Sequence, residues 1–143
     1  MKTLPLLLDA ICEVYDNVQY IARNGTTYCN QAVNNVAERM GFLGFIGLNA
    51  NHMVDLMDKH PEIWKVVDAM VAATKAEQGC LVIAGLKDEP RGHVAVIRPG
   101  NLVVSAKWQT QVPKCINIGI SHTISLGVNY AFEKEPKYYM YII

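Results

Sequence analysis

An α+β fold, with N-terminal helices packed on a C-terminal antiparallel sheet, is the architecture that the sequence predicts. Apolar residues recur at helical spacing in the first half of the 143-residue chain, and short β-type runs separated by Gly and Pro fill the second half. Elements that are segregated in this way are typical of α+β folds rather than of alternating βαβ units. With 51% apolar and 18% charged residues and no repeat or linker, residues 1–143 are expected to form one domain.

Four helices and five strands are predicted from the periodicity and the turn residues. The helices are expected from Pro5 to before Asn24-Gly25, from Thr27 or Tyr28 to Gly41, over about 51–58, and over 61–78 including Trp64. The strands are expected at residues 80–84, 93–97, 102–104, 115–118 and 138–142.

The charge balance argues against two classes of partner. The net charge is zero and the isoelectric point is about 6.9, so no basic surface favours nucleic acid or an anionic membrane. No apolar run approaches the roughly 20 residues that span a bilayer. The apolar stretch after Lys2 is too short for a signal peptide and lacks a cleavage site, so we expect it to form the first helix.

The cysteines do not form a metal-binding pattern. Cys12, Cys29, Cys80 and Cys115 contain no C-x-x-C pair, and their spacing is not that of a zinc site. Their even number permits disulfides, which a domain of this size does not need. We therefore expect neither a metal nor another cofactor.

Cys29 has the position of a candidate nucleophile. It opens the second predicted helix, where the helix dipole and unpaired N–H groups favour a thiolate and thereby lower the pKa. Its own backbone N–H is also placed to stabilise an oxyanion. The competing interpretation is that Cys29 is a small apolar residue of the core.

Among the four histidines, His93 is the candidate base. It follows Gly92 and opens a buried strand, so a rigid sheet holds the ring while the glycine leaves room for backbone or substrate to approach. His52 falls in a first helical turn, where the dipole disfavours its charged form. His60 caps a helix end, and His122 is expected to be a surface residue in a polar loop.

Two residues are candidates for orienting the His93 ring. Cys115 and Asn117 are two positions apart on a predicted strand, so their side chains share one face. Asn117 can accept a hydrogen bond from a ring N–H, whereas a thiol is a weaker partner. A backbone carbonyl would serve equally, so the third group stays open at this point.

Several ordered motifs carry a resemblance to a known family. They are Cys29 at a helix start, the segment 33–41, Asn49-Ala50-Asn51, Gln78-Gly79, Leu81-Val82-Ile83-Ala84-Gly85-Leu86-Lys87, Gly92-His93-Val94-Ala95-Val96, Pro113-x-Cys115 and Tyr138-Tyr139-x-Tyr141. From about Cys12 to the C-terminus, this order resembles the papain-like cell-wall peptidases, and among them the type VI secretion amidase effectors, family 1. The chain has Cys29-Asn30-Gln31 where that family tends to have Cys-Ser-Gly.

The resemblance implies a fold, a reaction and site residues. The fold would be a minimal papain-like (NlpC-type) one, with Cys29 as nucleophile and His93 as general base and acid. Cys115 matches a family cysteine at the edge of the site. The reaction would be hydrolysis of the bond between D-glutamate and meso-diaminopimelate in peptidoglycan stem peptides.

The resemblance also implies partners and a place of action. Such effectors are delivered by a contact-dependent secretion machine into the periplasm of a rival bacterium, without a signal peptide. The secretion tube's hexameric ring protein carries them, and a periplasmic immunity protein protects the producing cell.

Three alternatives compete with the effector. The same Cys29–His93 dyad would suit a phage or housekeeping cell-wall endopeptidase. The chain could instead be a non-catalytic binding module, with both residues in the core. Cys29, His93 and Cys115 could also hold a metal, which would need a fourth ligand or a water.

Overall fold

The computed structural model describes residues 3–23, 27–119 and 121–142. In these ranges it contains four α-helices, two 3-10 helices and eight strands. The α-helices are α1 (Leu4–Asp16), α2 (Cys29–Arg39), α3 (Ala50–Lys59) and α4 (Ala69–Glu77). The 3-10 helices are Val18–Tyr20 and Val128–Tyr130. The strands are β1 (Trp64–Val67), β2 (Val82–Leu86), β3 (His93–Ile97), β4 (Val103–Ser105), β5 (Thr110–Val112), β6 (Lys114–Ile118), β7 (His122–Gly127) and β8 (Lys137–Tyr141).

Six of the strands form one antiparallel sheet in the order β1-β8-β2-β3-β6-β7, and β4 and β5 form a separate hairpin. Strand β3 lies inside the sheet, where Ala95 pairs with Ala84 of β2 and Val96 with Ile116 of β6. The strand that opens with His93 is therefore supported on both sides.

The sheet separates two apolar cores. Side chains alternate along β3, so Val94 and Val96 enter the core that α1, α2 and α3 cover. Ala95 and Ile97 enter the second core, which contains residues of α4, the β4–β5 hairpin and the second 3-10 helix. The predicted packing of helices on the sheet therefore holds for α1 to α3 on one face, while α4 lies on the other.

The predicted first helix is too long. It ends at Asp16, because Asn17 adopts an extended conformation and its side chain accepts a hydrogen bond from the Gln19 N–H, which starts a 3-10 turn. The predicted boundary at Asn24-Gly25 lies outside the described residues.

The predicted helix over 61–78 is wrong in its first part. Trp64–Val67 forms strand β1, in which Trp64 pairs with Tyr141 of β8. The helix starts only after Asp68, whose carboxylate accepts a hydrogen bond from the Val71 N–H and so caps α4. Tertiary pairing and this cap override the helical periodicity of the segment.

Strand β3 has the predicted bounds, but β5 and β7 were not predicted. Thr110 and Gln111 of β5 are exposed, and β7 is an edge strand with partly exposed residues, so neither carries an apolar signal. The prediction of His122 as a surface loop residue is wrong. His122 opens β7, and its Nε2 lies 2.8 Å from the Tyr15 carbonyl oxygen of α1.

Trp64 anchors an aromatic cluster that holds β1 onto the fold. Its ring centroid lies 5.1 Å from Phe42, 5.3 Å from Phe45 and 5.1 Å from Tyr141. The indole is buried, and its N–H has no hydrogen-bond partner among the described residues. The aromatic surface, rather than the N–H, therefore stabilises the protein here.

We predict that Trp64→Ala lowers the free energy of unfolding by about 3–5 kcal/mol, and that Trp64→Phe lowers it by clearly less because the ring surface is mostly kept. Urea unfolding measures both changes. Lys65→Ala, at the exposed next residue, is the control and should change stability by no more than about 0.5 kcal/mol. Equal losses for Trp64→Ala and Trp64→Phe would contradict this account.

Candidate active site

Helix α2 begins without a side-chain cap, and Cys29 is its first residue. Thr3, Asn49 and Asp68 cap α1, α3 and α4 by accepting a hydrogen bond from a first-turn N–H. Tyr28, at the corresponding position of α2, makes no such bond. The N–H groups around Cys29 are therefore not occupied by a side-chain cap, and their dipoles favour negative charge at this point.

The Cys29 thiol is nevertheless in its neutral form. Burial raises its pKa above the ordinary value, and hydrogen bonding from the backbone N–H groups of Val94, Asn30 and Cys29 itself opposes the shift only in part. The sequence-based expectation of a lowered pKa is therefore wrong, because desolvation outweighs the helix terminus. A base must accept the proton if this thiol is to act as a nucleophile at neutral pH.

His93 is held by a direct contact with Asn117. Its Nε2 lies 2.7 Å from Oδ1 of Asn117, and its ring centroid lies 4.9 Å from that of the buried Phe132. Because Oδ1 only accepts hydrogen bonds, Nε2 carries the proton in the neutral ring. Nδ1 is then the basic nitrogen, and it makes no hydrogen bond to any residue in the described ranges.

Burial also shifts the titration of His93. It lowers the pKa of the ring below the ordinary value of 6.5, while the hydrogen bond to Asn117 acts in the opposite direction. The imidazole is therefore neutral at pH 7. Before any proton is transferred, the neutral thiol is the acid and the neutral imidazole is the base.

Cys29 and His93 approach the start of β3 from different sides of the sheet. The Cys29 sulfur lies at the Val94 N–H, next along the chain to His93, and packs in the core that contains Val94 and Val96. By alternation, the His93 side chain leaves the strand on the other side, where it meets Phe132. The structure thus places the two residues at the same end of β3, without a direct hydrogen bond between them.

Two clefts meet at His93. One has a volume of about 260 Å³ and is lined by Thr27, His93, Asn117, Gly119, Ser121, Tyr130 and Ala131. The other, of about 220 Å³, is lined by Leu86, Lys87, Asp88, Arg91, Gly92, His93, Ala131, Phe132, Glu133 and Lys134. Cys29 lines neither of them but a small apolar cavity of about 10 Å³ beside Val94, Val96 and Ile116.

Two glycines next to the His93 ring contact allow close packing that a side chain would prevent. A Cβ on Gly119 would lie 3.4 Å from both Asn117 Oδ1 and His93 Cε1, so any larger side chain would crowd their hydrogen bond. A Cβ on Gly92 would collide with Asn51 Oδ1 and lie 2.6 Å from the Leu86 carbonyl oxygen. The room that the sequence predicts at Gly92 is occupied by the Leu86 backbone and the Asn51 side chain, whereas Gly119 carries no local signal.

Cys115 lies away from the His93 ring contact. It is buried in the second core, pairs with Ile97, and has no hydrogen bond to His93. Burial raises its pKa to about 12. Of the two orienting candidates, Asn117 is the one in contact with the ring. Phe132, which no sequence pattern indicates, packs against the ring at a tilt of 53°.

The remaining histidines lie outside this site. His52 is exposed, and His60 Nδ1 lies 3.0 Å from a Glu62 carboxylate oxygen. In the described ranges, no group of three or more His, Cys, Asp and Glu side chains is arranged to hold a metal, so Cys29, His93 and Cys115 do not form such a group. None of the helices described is both long and apolar enough to cross a bilayer.

The chain is similar to a peptidoglycan amidase. Over 88 residues it is 41% identical to the peptidoglycan amidase Tse1 of Pseudomonas aeruginosa, a match that covers 61% of this chain and 51% of that protein. The chain thus spans about half the length of this relative. No protein-family model matches the chain. The similarity supports a relationship with Tse1.

The Asn117 contact predicts how the His93 pKa responds to substitution. Asn117→Ala removes an acceptor that favours the protonated ring, so the pKa of His93 should fall further. Asn117→Asp adds a negative charge at the same place, so the pKa should rise. NMR titration of the His93 ring protons measures both shifts, and Asn101→Asp on an exposed loop is the charge-matched control. An unchanged pKa in both Asn117 variants would show that this hydrogen bond does not form in solution.

Proposed function

We propose that the protein is a cysteine amidase that hydrolyses the peptide part of peptidoglycan, with Cys29 as nucleophile, His93 as base and Asn117 as the residue that orients the imidazole. The observation that carries this proposal is the arrangement at the start of β3. There the His93 Nε2–Asn117 Oδ1 hydrogen bond of 2.7 Å leaves Nδ1 basic, and the Cys29 thiol lies at the adjoining Val94 N–H. The similarity to Tse1 supports peptidoglycan as the substrate.

The chemical steps follow from the protonation states of the two residues. Once the start of α2 has shifted so that the sulfur reaches the cleft at His93, Nδ1 of His93 takes the proton from Cys29 as the sulfur attacks the substrate carbonyl carbon. The C–N bond then breaks, the imidazolium gives its proton to the departing amine, and a thioester remains on Cys29. Water attacks the thioester with His93 again as base, which releases the carboxylic acid and restores the thiol.

The start of α2 supplies the electrostatic part of the mechanism. The uncapped N–H groups at Cys29 and Asn30 favour negative charge on the sulfur and, during attack, on the substrate oxygen. Asn117 supports the imidazolium that forms transiently, since its Oδ1 accepts from Nε2–H. Phe132 packs against the imidazole, with the two rings tilted by 53°.

The finer proposal follows the resemblance to the type VI secretion amidase effectors. We propose that residues 1–143 form one papain-like domain and that the bond cleaved joins D-glutamate to meso-diaminopimelate. Under this proposal the protein acts in the periplasm of a recipient bacterium, travels with a secretion-tube ring protein, and is neutralised by a cognate immunity protein.

One observation favours a different function. Cys29 is 7% exposed and lines neither cleft at His93. A core residue of a non-catalytic binding module would have the same position. In that case the clefts would bind a ligand without cleaving it. Catalysis by Cys29 instead requires the start of α2 to shift enough for a substrate carbonyl to reach the sulfur.

We predict that the protein releases new muropeptides from Gram-negative peptidoglycan, split between D-glutamate and diaminopimelate, and that Cys29→Ala and His93→Ala reduce the rate by a factor of at least about 10²–10⁴. Mass spectrometry of the digests identifies the fragments and the bond.

Cys12→Ala is the matched control, because Cys12 is an exposed thiol outside the site, and it should retain full activity. Urea unfolding of each variant establishes that it is folded. Equal cleavage by Cys29→Ala would exclude Cys29 as the nucleophile. Cleavage at another bond would keep the amidase and overturn the finer proposal, and binding without cleavage by the wild type would favour the non-catalytic module.

A further inference from the structure

The chain between β7 and β8 carries the aromatic ring that packs against His93. Residues 128–136, here called the Phe132 segment, include Phe132, which is 4% exposed and whose ring centroid lies 4.9 Å from that of His93. Ala131 of the same segment lines both clefts at His93. The position of the Phe132 segment therefore affects both the burial of the candidate base and the shape of its surroundings.

Backbone hydrogen bonds anchor the first half of the Phe132 segment. The Val128 N–H donates to the Pro113 carbonyl oxygen at 3.0 Å, and the N–H groups of Ala131 and Phe132 each donate to the Val128 carbonyl oxygen at 3.0 Å. Beyond Phe132, residues 133–135 are exposed and form no ion pair with any residue of the described ranges. The Phe132 carbonyl, between these two parts, is held by a side chain from another part of the chain.

That side chain is Lys107. It lies in the turn that joins β4 to β5, 25 residues before Phe132, and its Nζ donates a hydrogen bond to the Phe132 carbonyl oxygen at 3.0 Å. Its ammonium group forms no ion pair with a carboxylate in the part of the chain that the structure describes. The charge of Lys107 is therefore directed at the Phe132 segment, and a charged donor strengthens the hydrogen bond to the carbonyl.

The turn between β4 and β5 orients Lys107. Ser105 is buried at the end of β4, and its Oγ accepts a hydrogen bond from the Trp108 N–H at 3.1 Å. The Trp108 side chain packs against the second core, which also contains Phe132, and Lys107 Nζ lies 5.5 Å from the centroid of its ring. An ammonium group at this distance from an indole ring gains a cation–π interaction. Lys107 is therefore held in place before it reaches the Phe132 carbonyl.

We propose that Lys107 is a positioning residue, which acts through the Phe132 segment to keep His93 in its buried setting. This inference rests on the function proposed above, because it treats His93 as the base. Lys107 lines neither cleft at His93, so its influence on the reaction passes through Phe132 rather than through contact with the substrate.

The direction of the effect follows from burial. Burial lowers the pKa of His93, so a change that lets Phe132 move away from the ring admits water and raises this pKa toward 6.5. The base must be neutral to accept a proton. At a pH below the His93 pKa, kcat/KM should therefore fall by about tenfold for each unit by which the pKa rises, whereas little activity should be lost above it.

The test is an NMR titration of the His93 ring protons in variants whose folding is verified by urea unfolding. Lys107→Gln should raise the pKa of His93 toward 6.5, and Lys107→Arg, which keeps a charged donor, should leave it unchanged. Lys65→Gln is the control, because it removes the same charge from an exposed position of β1, which β8 and β2 separate from β3. The pH profile of kcat/KM on peptidoglycan fragments is the second readout and should shift with the pKa.

A double variant tests whether Lys107 acts through Phe132. Phe132→Leu should raise the pKa of His93 by itself, and Lys107→Gln should add little in that background, because the ring that it positions is gone. None of these substitutions alters the charged and titratable side chains that line the two clefts beside His93, which are Lys87, Asp88, Arg91, Tyr130, Glu133 and Lys134.

Two results would overturn the proposal. If Lys107→Gln keeps the wild-type pKa of His93, whatever its stability in urea, Lys107 has no more than a structural role. If Lys107→Gln raises the pKa equally with and without Phe132→Leu, the charge of Lys107 acts on His93 directly. The titration needs no substrate, so a wild type that cleaves no peptidoglycan would refute the proposed function, while the titration would still decide the role of Lys107.

Discussion

Strand β3 is the constraint on which the rest of the structure depends. It lies between β2 and β6, and its alternating side chains supply Val94 and Val96 to one core and Ala95 and Ile97 to the other. A shift of its register by one residue would exchange these sets and turn every side chain to the opposite face. The positions of His93 and of the Val94 N–H, and with them the candidate active site, are therefore fixed by the packing of both cores.

Burial gives this site its chemical character. It raises the pKa of Cys29 and lowers that of His93, so both residues are held in the form that carries no charge. The opposing influences are local: the N–H groups at the start of α2 act on the sulfur, and Asn117 acts on the ring. Neither residue therefore carries a charge at rest, and under the proposed mechanism charge develops only as the proton moves to His93.

The parts of the fold that the sequence predicts are those with a strong local signal. The predicted bounds of β3 are confirmed, and they were predictable because the continuous apolar run from Val94 to Ile97 marks the strand. The edge strand β7 has no such run. The helical periodicity at residues 64–67 predicts a helix, but these residues form β1 because they pair with β8, which lies far along the chain. For the same reason, the sequence names the candidate partners of the ring, but the contacts of the ring with Asn117 and Phe132 depend on long-range packing.

The central claim is that Cys29 and His93 act as one unit across the start of β3. The most direct measurement is the rate of Cys29 alkylation by iodoacetamide as a function of pH, in a Cys12→Ala/Cys80→Ala background with and without His93→Ala. The account predicts that alkylation at neutral pH requires His93, so that His93→Ala slows it by about 10²–10⁴. With His93 present, the alkylation rate should rise with pH, and the midpoint of this rise should lie below the ordinary histidine pKa of 6.5. Identical pH profiles with and without His93 would show that the two residues are not coupled and would contradict the account.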